Sequence, residues 1–232
     1  AVLGVERSAP VQGGGPSGLV RVGTTEGLGT LILAPQLARL TQCHPHLSID
    51  LLALPRLLHL SRREADIVIS LERPRRGSVI VTKLADYTLH LYGQREYLAR
   101  RPLVATREDL RHHAFVSYVD DLLFTKELQF LDQLYPPERF AMRSTSVTAQ
   151  YEAVRAGAGL AVLPAFLADT DPVLARVLPQ EARFTRTFWM SMPAEAKHLA
   201  RMQAVWGFLK ETAREEGERL VPSPGARAGI SG

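Results

Sequence analysis

The chain has 232 residues, of which 46% are hydrophobic and 22% charged, an ordinary composition for a globular protein with a sizeable core. No apolar run approaches the roughly 20 residues that cross a bilayer, so neither a membrane-spanning helix nor a membrane partner is expected. The net charge of +4 comes mainly from scattered arginines, and no helix carries a continuous basic face, so this chain is not predicted to contact DNA itself. A single cysteine, Cys43, excludes an intramolecular disulfide and indicates a reducing compartment, the cytoplasm.

The N-terminal segment, residues 1–17, runs into "GGGPSG" (13–18) and is predicted to be the end of a linker. It lacks the charged start and sustained apolar region of a secretory signal. It also lacks an initiator methionine, so we interpret the chain as a piece of a longer protein. At the other end, residues 222–232 have the composition of a disordered tail.

The first third of the chain predicts alternating strands and helices, the pattern of a doubly wound sheet. "LVRVGTT" (19–25) alternates like a strand, and the amphipathic stretch 28–43 follows it as a helix. A turn and second strand occupy 44–54, and a short helix followed by the strand "DIVIS" occupies 57–70.

The middle and end of the chain continue this mixed pattern. Two strand-like runs are predicted within 79–92. The later predicted elements are a short helix at 95–102, a helix and strand at 107–118, a helix at 122–134, a strand within 136–146, a strand at 184–192 and a long helix at 198–217. We found no internal repeat.

The segment 144–164, "STSVTAQYEAVRAGAGLAVLP", predicts a complete αβ unit. Its apolar residues follow helical spacing, and Gly157 and Gly159 then end the helix because glycine accepts the left-handed backbone common at helix ends. "LAVLP" (160–164) is a short buried strand that its proline closes.

Three hydroxyl residues, Ser144, Thr145 and Ser146, stand at the start of this helix. One interpretation is capping, which needs only one of them. The other is that spare hydroxyls and the positive end of the helix bind a small polar ligand. Thr24 and Thr25 occupy the matching place after the first strand, so two hydroxyl-rich helix starts could face each other across a cleft.

No enzymatic motif is present in the sequence, which contains no G-x-S-x-G, H-E-x-x-H or C-x-x-C pattern. "GTTEGLGT" (23–30) is glycine-rich but matches neither the dinucleotide-binding fingerprint nor the P-loop. The pair His112–His113 is more typical of a surface or half-buried position than of a metal site. Neither catalytic residues nor a cofactor or metal is therefore predicted.

Four ordered segments together resemble the effector-binding domain of LysR-type transcriptional regulators. They are "GLVRVGTT" (18–25), "HPHLSIDLL" (44–52), "READIVIS" (63–70) and, most specifically, "AVRAGAGLAVLP" (153–164). The resemblance covers about residues 18–215, and it does not extend to the family's N-terminal winged helix-turn-helix. It implies that the chain is a regulatory fragment that reaches DNA only through such a domain.

The resemblance implies an α/β fold of two Rossmann-like subdomains with a hinge, like a type 2 periplasmic binding protein, with a small-molecule effector in the cleft. The first subdomain would take 18–84 plus 189–221, and the second 85–188, joined by two crossover strands. The implied effector-binding residues are Thr24, Thr25, Glu26, Ser70, Glu72, Tyr118, Thr145, Ser146 and Phe166. The acidic residues Glu26, Glu72, Asp120 and Asp121 depart from a simple anion-binding site and argue against an acidic effector.

The family resemblance also implies a homodimer or homotetramer. Consistent with this, the helix at 28–42 has a broad apolar face, and the last long helix carries Trp206 and Phe208 on different sides. Two other classes share this scaffold: an extracytoplasmic solute-binding protein of a transporter, and an enzyme. The missing signal sequence argues against the first, and the missing nucleophile, metal set or phosphate loop against the second.

Overall fold

The computed structural model describes residues 15–54 and 64–223. Three sequence predictions lie wholly or partly outside the described residues: the linker before residue 15, the short helix beginning at 57, and the tail from residue 224.

The described residues form one mixed sheet of nine strands, in the order β2-β1-β3-β9-β4-β7-β5-β6, with β8 beside β4. The strands are β1 (Gly18–Thr24), β2 (Leu47–Ala53), β3 (Ile67–Ser70), β4 (Val79–Gln94), β5 (Phe115–Ser117), β6 (Phe140–Arg143), β7 (Leu160–Pro164), β8 (Leu174–Val177) and β9 (Arg183–Pro193). β1 pairs in parallel with β2 and β3, and β5 pairs in parallel with β6 and β7. Each parallel set is one α/β subdomain, because parallel neighbours need a helical crossover.

Helices cover the two parallel sets. They are α1 (Glu26–Leu28), α2 (Ala34–Cys43), α3 (Arg95–Ala99), α4 (Leu131–Leu134), α5 (Val147–Arg155), α6 (Ala165–Ala168), α7 (Ala200–Glu215) and α8 (Gly217–Leu220). A π-helical turn, Gly29–Leu33, joins α1 to α2, so that 26–43 is one continuous helix. Short 3₁₀ helices lie at Arg107–His112, Asp120–Leu122, Lys126–Leu128 and Ala194–His198.

The long strands β4 and β9 run antiparallel and join the subdomains. The first part of β4, Val79–Lys83, pairs with Trp189–Pro193, whereas Ala85–His90 pairs with Arg183–Phe188. A register shift lies between Lys83 and Ala85. The sequence prediction of two strands within 79–92 is therefore wrong, because β4 is one strand with an irregularity in its middle.

The predicted helix at 122–134 is also wrong, because the structure has only two 3₁₀ turns and the four-residue α4 there. Thr125 has an extended backbone (φ −158°, ψ 147°), and its side chain accepts a hydrogen bond from the Glu127 amide. An extended residue in the middle of the stretch prevents a continuous helix. Leu128 and Leu131, in the second half of the segment, are buried all the same, whereas Leu122 at its start is 62% exposed.

The predicted αβ unit at 144–164 is confirmed. α5 ends in a Schellman motif, in which the amides of Ala158 and Gly157 donate to the carbonyls of Ala153 and Val154. Gly157 has φ +79°, the left-handed conformation that the motif requires. β7 then runs through the core with all five residues buried.

His90, in the middle of β4, is 3% exposed, and its Nδ1 has no hydrogen-bond partner among the described residues. Burial and, to a smaller extent, the nearby Arg176 guanidinium lower the pKa of His90 from 6.5 to about 4. Because the unfolded chain keeps the ordinary pKa, it binds more protons than the folded protein between pH 6.5 and about 4. Stability should therefore fall as the pH falls through this window.

We expect His90→Gln to remove part of this pH dependence, because glutamine does not titrate. The measurement is the free energy of unfolding by urea at several pH values, with each protein referred to its own value at neutral pH. The buried His113, whose pKa is also lowered by burial, is present in both proteins and cancels in the comparison. Equal slopes in the two proteins would show that His90 does not contribute.

Candidate functional site

A cavity that is partly open to solvent lies where the first turns of α1 and α5 face each other, and its empty space of about 450 Å³ includes the solvent at its mouth. α1 follows β1 in the first subdomain and α5 follows β6 in the second, so the cavity lies between the subdomains. The lining residues are Thr25, Glu26, Gly27, Leu28, Leu71, Tyr87, Leu89, Tyr118, Phe124, Leu128, Thr145, Val147, Pro164, Phe166 and Phe188. An apolar lining with a few polar groups is the usual character of a small-molecule site.

Aromatic rings form one wall of the cavity, where β4 and β9 pair. The rings of Tyr87 and Phe188 are stacked, with their centroids 4.2 Å apart and an angle of 12° between planes. Phe166, from α6, is tilted against Tyr87 at 6.0 Å. All three side chains are buried, and their rings give the cavity an apolar surface on this side.

Thr25 and Thr145 bring two uncommitted hydroxyls to the cavity from opposite subdomains. Thr25 is the N-cap of α1, but its side chain makes no capping hydrogen bond. The Thr145 hydroxyl makes no hydrogen bond to any residue that the structure describes. Each hydroxyl can both donate a hydrogen bond to a ligand and accept one from it.

Two phenols add donors to the same space. Burial raises the pKa of Tyr87 and of Tyr118 well above the ordinary value, and the Glu26 carboxylate raises that of Tyr118 further. Both phenols therefore keep their protons at any physiological pH. Within residues 15–54 and 64–223, neither hydroxyl has a hydrogen-bond acceptor. Tyr87 and Tyr118 can thus donate to an acceptor on a ligand.

The neighbours of Thr145 have structural roles. Ser146 is the N-cap of α5, and its Oγ accepts from the Ala149 amide at 3.0 Å. The Ser144 Oγ accepts from the Ser146 amide at 3.1 Å. Of the three adjacent hydroxyls, two are used for the local fold and only Thr145 is left for the cavity. The capping and ligand-binding interpretations of this cluster thus apply to different residues.

Glu26 connects the two subdomains at the start of α5. Its Oε1 accepts from the Ser146 hydroxyl at 2.8 Å, and its Oε2 accepts from the Val147 amide at 3.0 Å. The positive end of α5 favours a carboxylate at this place. Glu26 therefore acts as an anion from the first subdomain bound at the helix start of the second.

Glu72 makes a second contact between the subdomains. Its Oε1 accepts from the Thr125 hydroxyl at 2.5 Å. Ser70 supports the same loop, because its hydroxyl donates to the Glu72 carbonyl at 2.8 Å. Together, Glu26 and Glu72 join the two subdomains at two positions.

The structure brings five of the nine predicted site residues to the cavity wall: Thr25, Glu26, Tyr118, Thr145 and Phe166. Ser70, Glu72 and Ser146 lie outside the wall, in the contacts described above. Thr24 does not line the cavity either. Its side chain is 2% exposed and faces Gly29, where an added Cβ would lie 2.7 Å from the threonine methyl group.

Sequence reasoning missed most of the apolar wall, including Tyr87, Leu89 and Phe188. A signal was available, because Tyr87 and Leu89 are two residues apart on one strand and so point to the same face. The sequence could not show that β9 pairs with β4, and it is this pairing that places Phe188 against Tyr87.

Within the described part of the chain, no group of three or more His, Cys, Asp or Glu residues could hold a metal ion. Asp120 and Asp121 lie in an exposed 3₁₀ turn away from the cavity wall, and Asp120 is 3.5 Å from Arg143. In residues 15–54 and 64–223, the helices are too short or too polar for a membrane crossing.

The sequence matches the family model "LysR substrate binding domain" over residues 13–214. A curated relative, the Mau operon transcriptional activator of Paracoccus denitrificans, is 32% identical over 63% of this chain and 48% of its own length. An uncharacterized HTH-type transcriptional regulator of Haemophilus influenzae is 24% identical over 70% of this chain and 58% of its own length. The chain thus spans about half the length of these relatives.

Solved structures show the same fold. The regulatory domain of CrgA, a LysR-type regulator from Neisseria meningitidis, has a TM-score of 0.74 at 20% identity, covering 84% of this chain and 98% of that domain. The effector domain of AmpR from Pseudomonas aeruginosa has a TM-score of 0.69 at 19% identity, covering 87% of this chain and 98% of that domain. The expected periplasmic-binding-protein-like fold of two subdomains is confirmed. The chain belongs to the LysR substrate-binding domain family, the effector-binding domains of LysR-type transcriptional regulators.

Proposed function

We propose that this domain senses a small-molecule effector in the cavity between α1 and α5, and that the longer protein regulates transcription in response. The observation that carries the proposal is that Thr25 and Thr145 line the cavity from opposite subdomains, and that neither hydroxyl makes a hydrogen bond within the described part of the chain. A ligand held by both would bridge the subdomains. Ligands bind outside the carboxyl ends of strands in such sheets, and Thr25 directly follows β1.

We further propose that the subdomains comprise 18–84 plus 189–221 and 85–188, as the family resemblance implied. The register shift between Lys83 and Ala85 supports the first boundary. The second is supported by the change of partner along β9, since residues 189–191 also pair with β3 and the residues before them do not. A ligand that contacts both subdomains would bind one relative arrangement of them more tightly than another. It can shift the equilibrium between the two arrangements only by the difference between its affinities for them.

The remaining partners are proposals for the longer protein. We expect it to bind DNA through a domain that precedes this one, to act in the cytoplasm as a transcription factor, and to have no catalytic activity. The family assignment supports these expectations and does not favour a transporter's solute-binding protein.

We also propose that the domain self-associates as a homodimer or homotetramer. The 26–43 helix does not argue for this, because its apolar side packs inside the chain, with Ile32 and Leu37 at most 4% exposed. The better support is α7, where Trp206 and Phe208 are only partly buried and the preceding Leu199 is 41% exposed.

Sedimentation equilibrium at tens of micromolar tests the association. We expect a species larger than the monomer, and a smaller average mass for Trp206→Glu, because a charge on an apolar contact weakens it. Circular dichroism controls for folding of the variant. A monomer across the whole concentration range would contradict the proposal.

The effector site is tested by thermal-shift screening of small metabolites, followed by calorimetric titration of those that raise the melting temperature. The diagnostic variant is Thr145→Phe, which fills the cavity at a half-buried residue whose side chain makes no hydrogen bond to the residues that the structure describes. We expect it to abolish binding and keep the fold. Unchanged affinity in Thr145→Phe would place the ligand elsewhere and contradict the proposal.

A further inference from the structure

Glu26 lies between two helix starts and complements both. It is in the first turn of its own helix, α1, and its carboxylate binds the first turn of α5. Each helix start carries about half a positive charge from its unpaired amides. One carboxylate therefore neutralises the combined charge of two facing helix ends.

Glu26 is also the only charged residue among the described residues that line the cavity. The donors that a ligand carboxylate would need at the start of α5, the Ser146 hydroxyl and the Val147 amide, are already taken by Glu26. A second carboxylate there would lose these donors and face a like charge at close range in a partly desolvated site. The remaining free groups are the hydroxyls and phenols, which suit an uncharged polar group.

We propose that Glu26 is the specificity-determining residue of the cavity: it occupies the carboxylate position itself, so the cavity accepts an uncharged, mainly apolar ligand and rejects carboxylates. This inference rests on the proposed effector function and names the chemical class of the effector. In this role, Glu26 excludes acidic molecules from the cavity and does not bind them.

The inference predicts that a small carboxylate can replace the missing side chain of Glu26→Ala. Propionate is the probe: it carries the carboxylate that the variant lacks and, because alanine keeps Cβ, it is one carbon larger than the CH₂–COO⁻ group that the substitution removes. The matched control is Glu72→Ala, which removes the other carboxylate between the subdomains. Glu72 binds the Thr125 hydroxyl, and the 3₁₀ helix that begins after Thr125 has only three residues, against nine in α5. The loss of Glu72 should therefore leave no anion site.

The experiment titrates sodium propionate into the wild type, Glu26→Ala and Glu72→Ala, with sodium chloride holding the ionic strength constant. The readouts are the melting temperature and the propionate affinity by ligand-observed NMR. We expect Glu26→Ala to melt lower than the wild type, to recover with propionate but not propionamide, and to bind propionate about tenfold or more tightly than either other protein. Equal propionate affinity in all three proteins would overturn the inference.

A second variant covers the case in which Glu26→Ala does not fold. Glu26→Gln keeps the shape and removes the charge, so benzoate should bind it about tenfold more tightly than it binds the wild type. Benzyl alcohol, the uncharged analogue, should bind both proteins equally. No gain in benzoate affinity would overturn the inference, while the Thr145→Phe experiment would still test the effector site itself.

Discussion

Replacing Gly159 by alanine is expected to lower the free energy of unfolding by about 4 kcal/mol or more, an exceptional effect for a single methyl group. Gly159 links α5 to β7 with φ +156°, a backbone conformation that other residues rarely adopt. A Cβ there would lie 2.2 Å from the Ala114 carbonyl oxygen. That oxygen accepts the Leu160 amide at 2.9 Å, so relieving the clash would break the contact that pairs β7 with β5.

The control for this prediction is Gly207→Ala on α7. An added Cβ at Gly207 meets no atom within 4 Å, and alanine favours a helix over glycine by about 1 kcal/mol. The same chemical change should therefore stabilise the protein at Gly207 and destabilise it severely at Gly159. Urea unfolding of both variants measures the difference. A loss of less than 1 kcal/mol in Gly159→Ala would show that the strand end can move and would contradict the close approach.

Thr145→Ala and Ser146→Ala should impair different properties, effector binding in the first and stability in the second, although the residues are adjacent. Ser146 caps α5 and donates to Glu26, so its loss should lower the free energy of unfolding by about 1–2 kcal/mol. Thr145 makes neither contact and lines the cavity. Its loss should leave stability unchanged and weaken effector binding about fivefold or more, the effect of one lost hydrogen bond.

The comparison needs urea unfolding and calorimetric titration of both variants with the same effector. Thr25→Ala should resemble Thr145→Ala. Because both hydroxyls would hold one polar group of the ligand, their combined loss should not be additive. Equal stability losses at positions 145 and 146, with no change in affinity at 145, would mean that all the hydroxyls are structural.

The parts of the fold that the sequence predicted well are those governed by local chemistry. The helix α5, its end at Gly157 and the buried strand β7 follow from helical spacing, a glycine at a left-handed position and an apolar run. Each depends on residues within a few positions in the chain. The local sequence pattern alone is therefore sufficient to predict these elements.

The segment 122–134 shows where local pattern is insufficient. Its apolar residues from Leu128 to Leu134 are buried, but Thr125 is extended and donates to Glu72 in the other subdomain. This contact joins residues 53 positions apart. The sequence of the segment does not identify Glu72 as its partner. The tertiary contact overrides the local preference for helix.

The same reason limits prediction of the site. The sequence places three hydroxyls at the start of α5, but it does not show that the Ser146 hydroxyl also binds Glu26, which is 120 positions away. Residue type cannot separate Thr145 from its neighbours, because all three side chains can cap a helix. Similarly, Tyr87 and Phe188 meet only because β4 and β9 pair.

The most direct test of the account is a crystal structure of the domain with its effector. We expect the ligand between α1 and α5, with its apolar part against Tyr87, Phe166 and Phe188. Its polar group should lie within hydrogen-bond distance of the Thr25 and Thr145 hydroxyls, with Glu26 still bound to the start of α5. A ligand bound outside this cavity, or one whose carboxylate displaces Glu26 from Ser146, would contradict it.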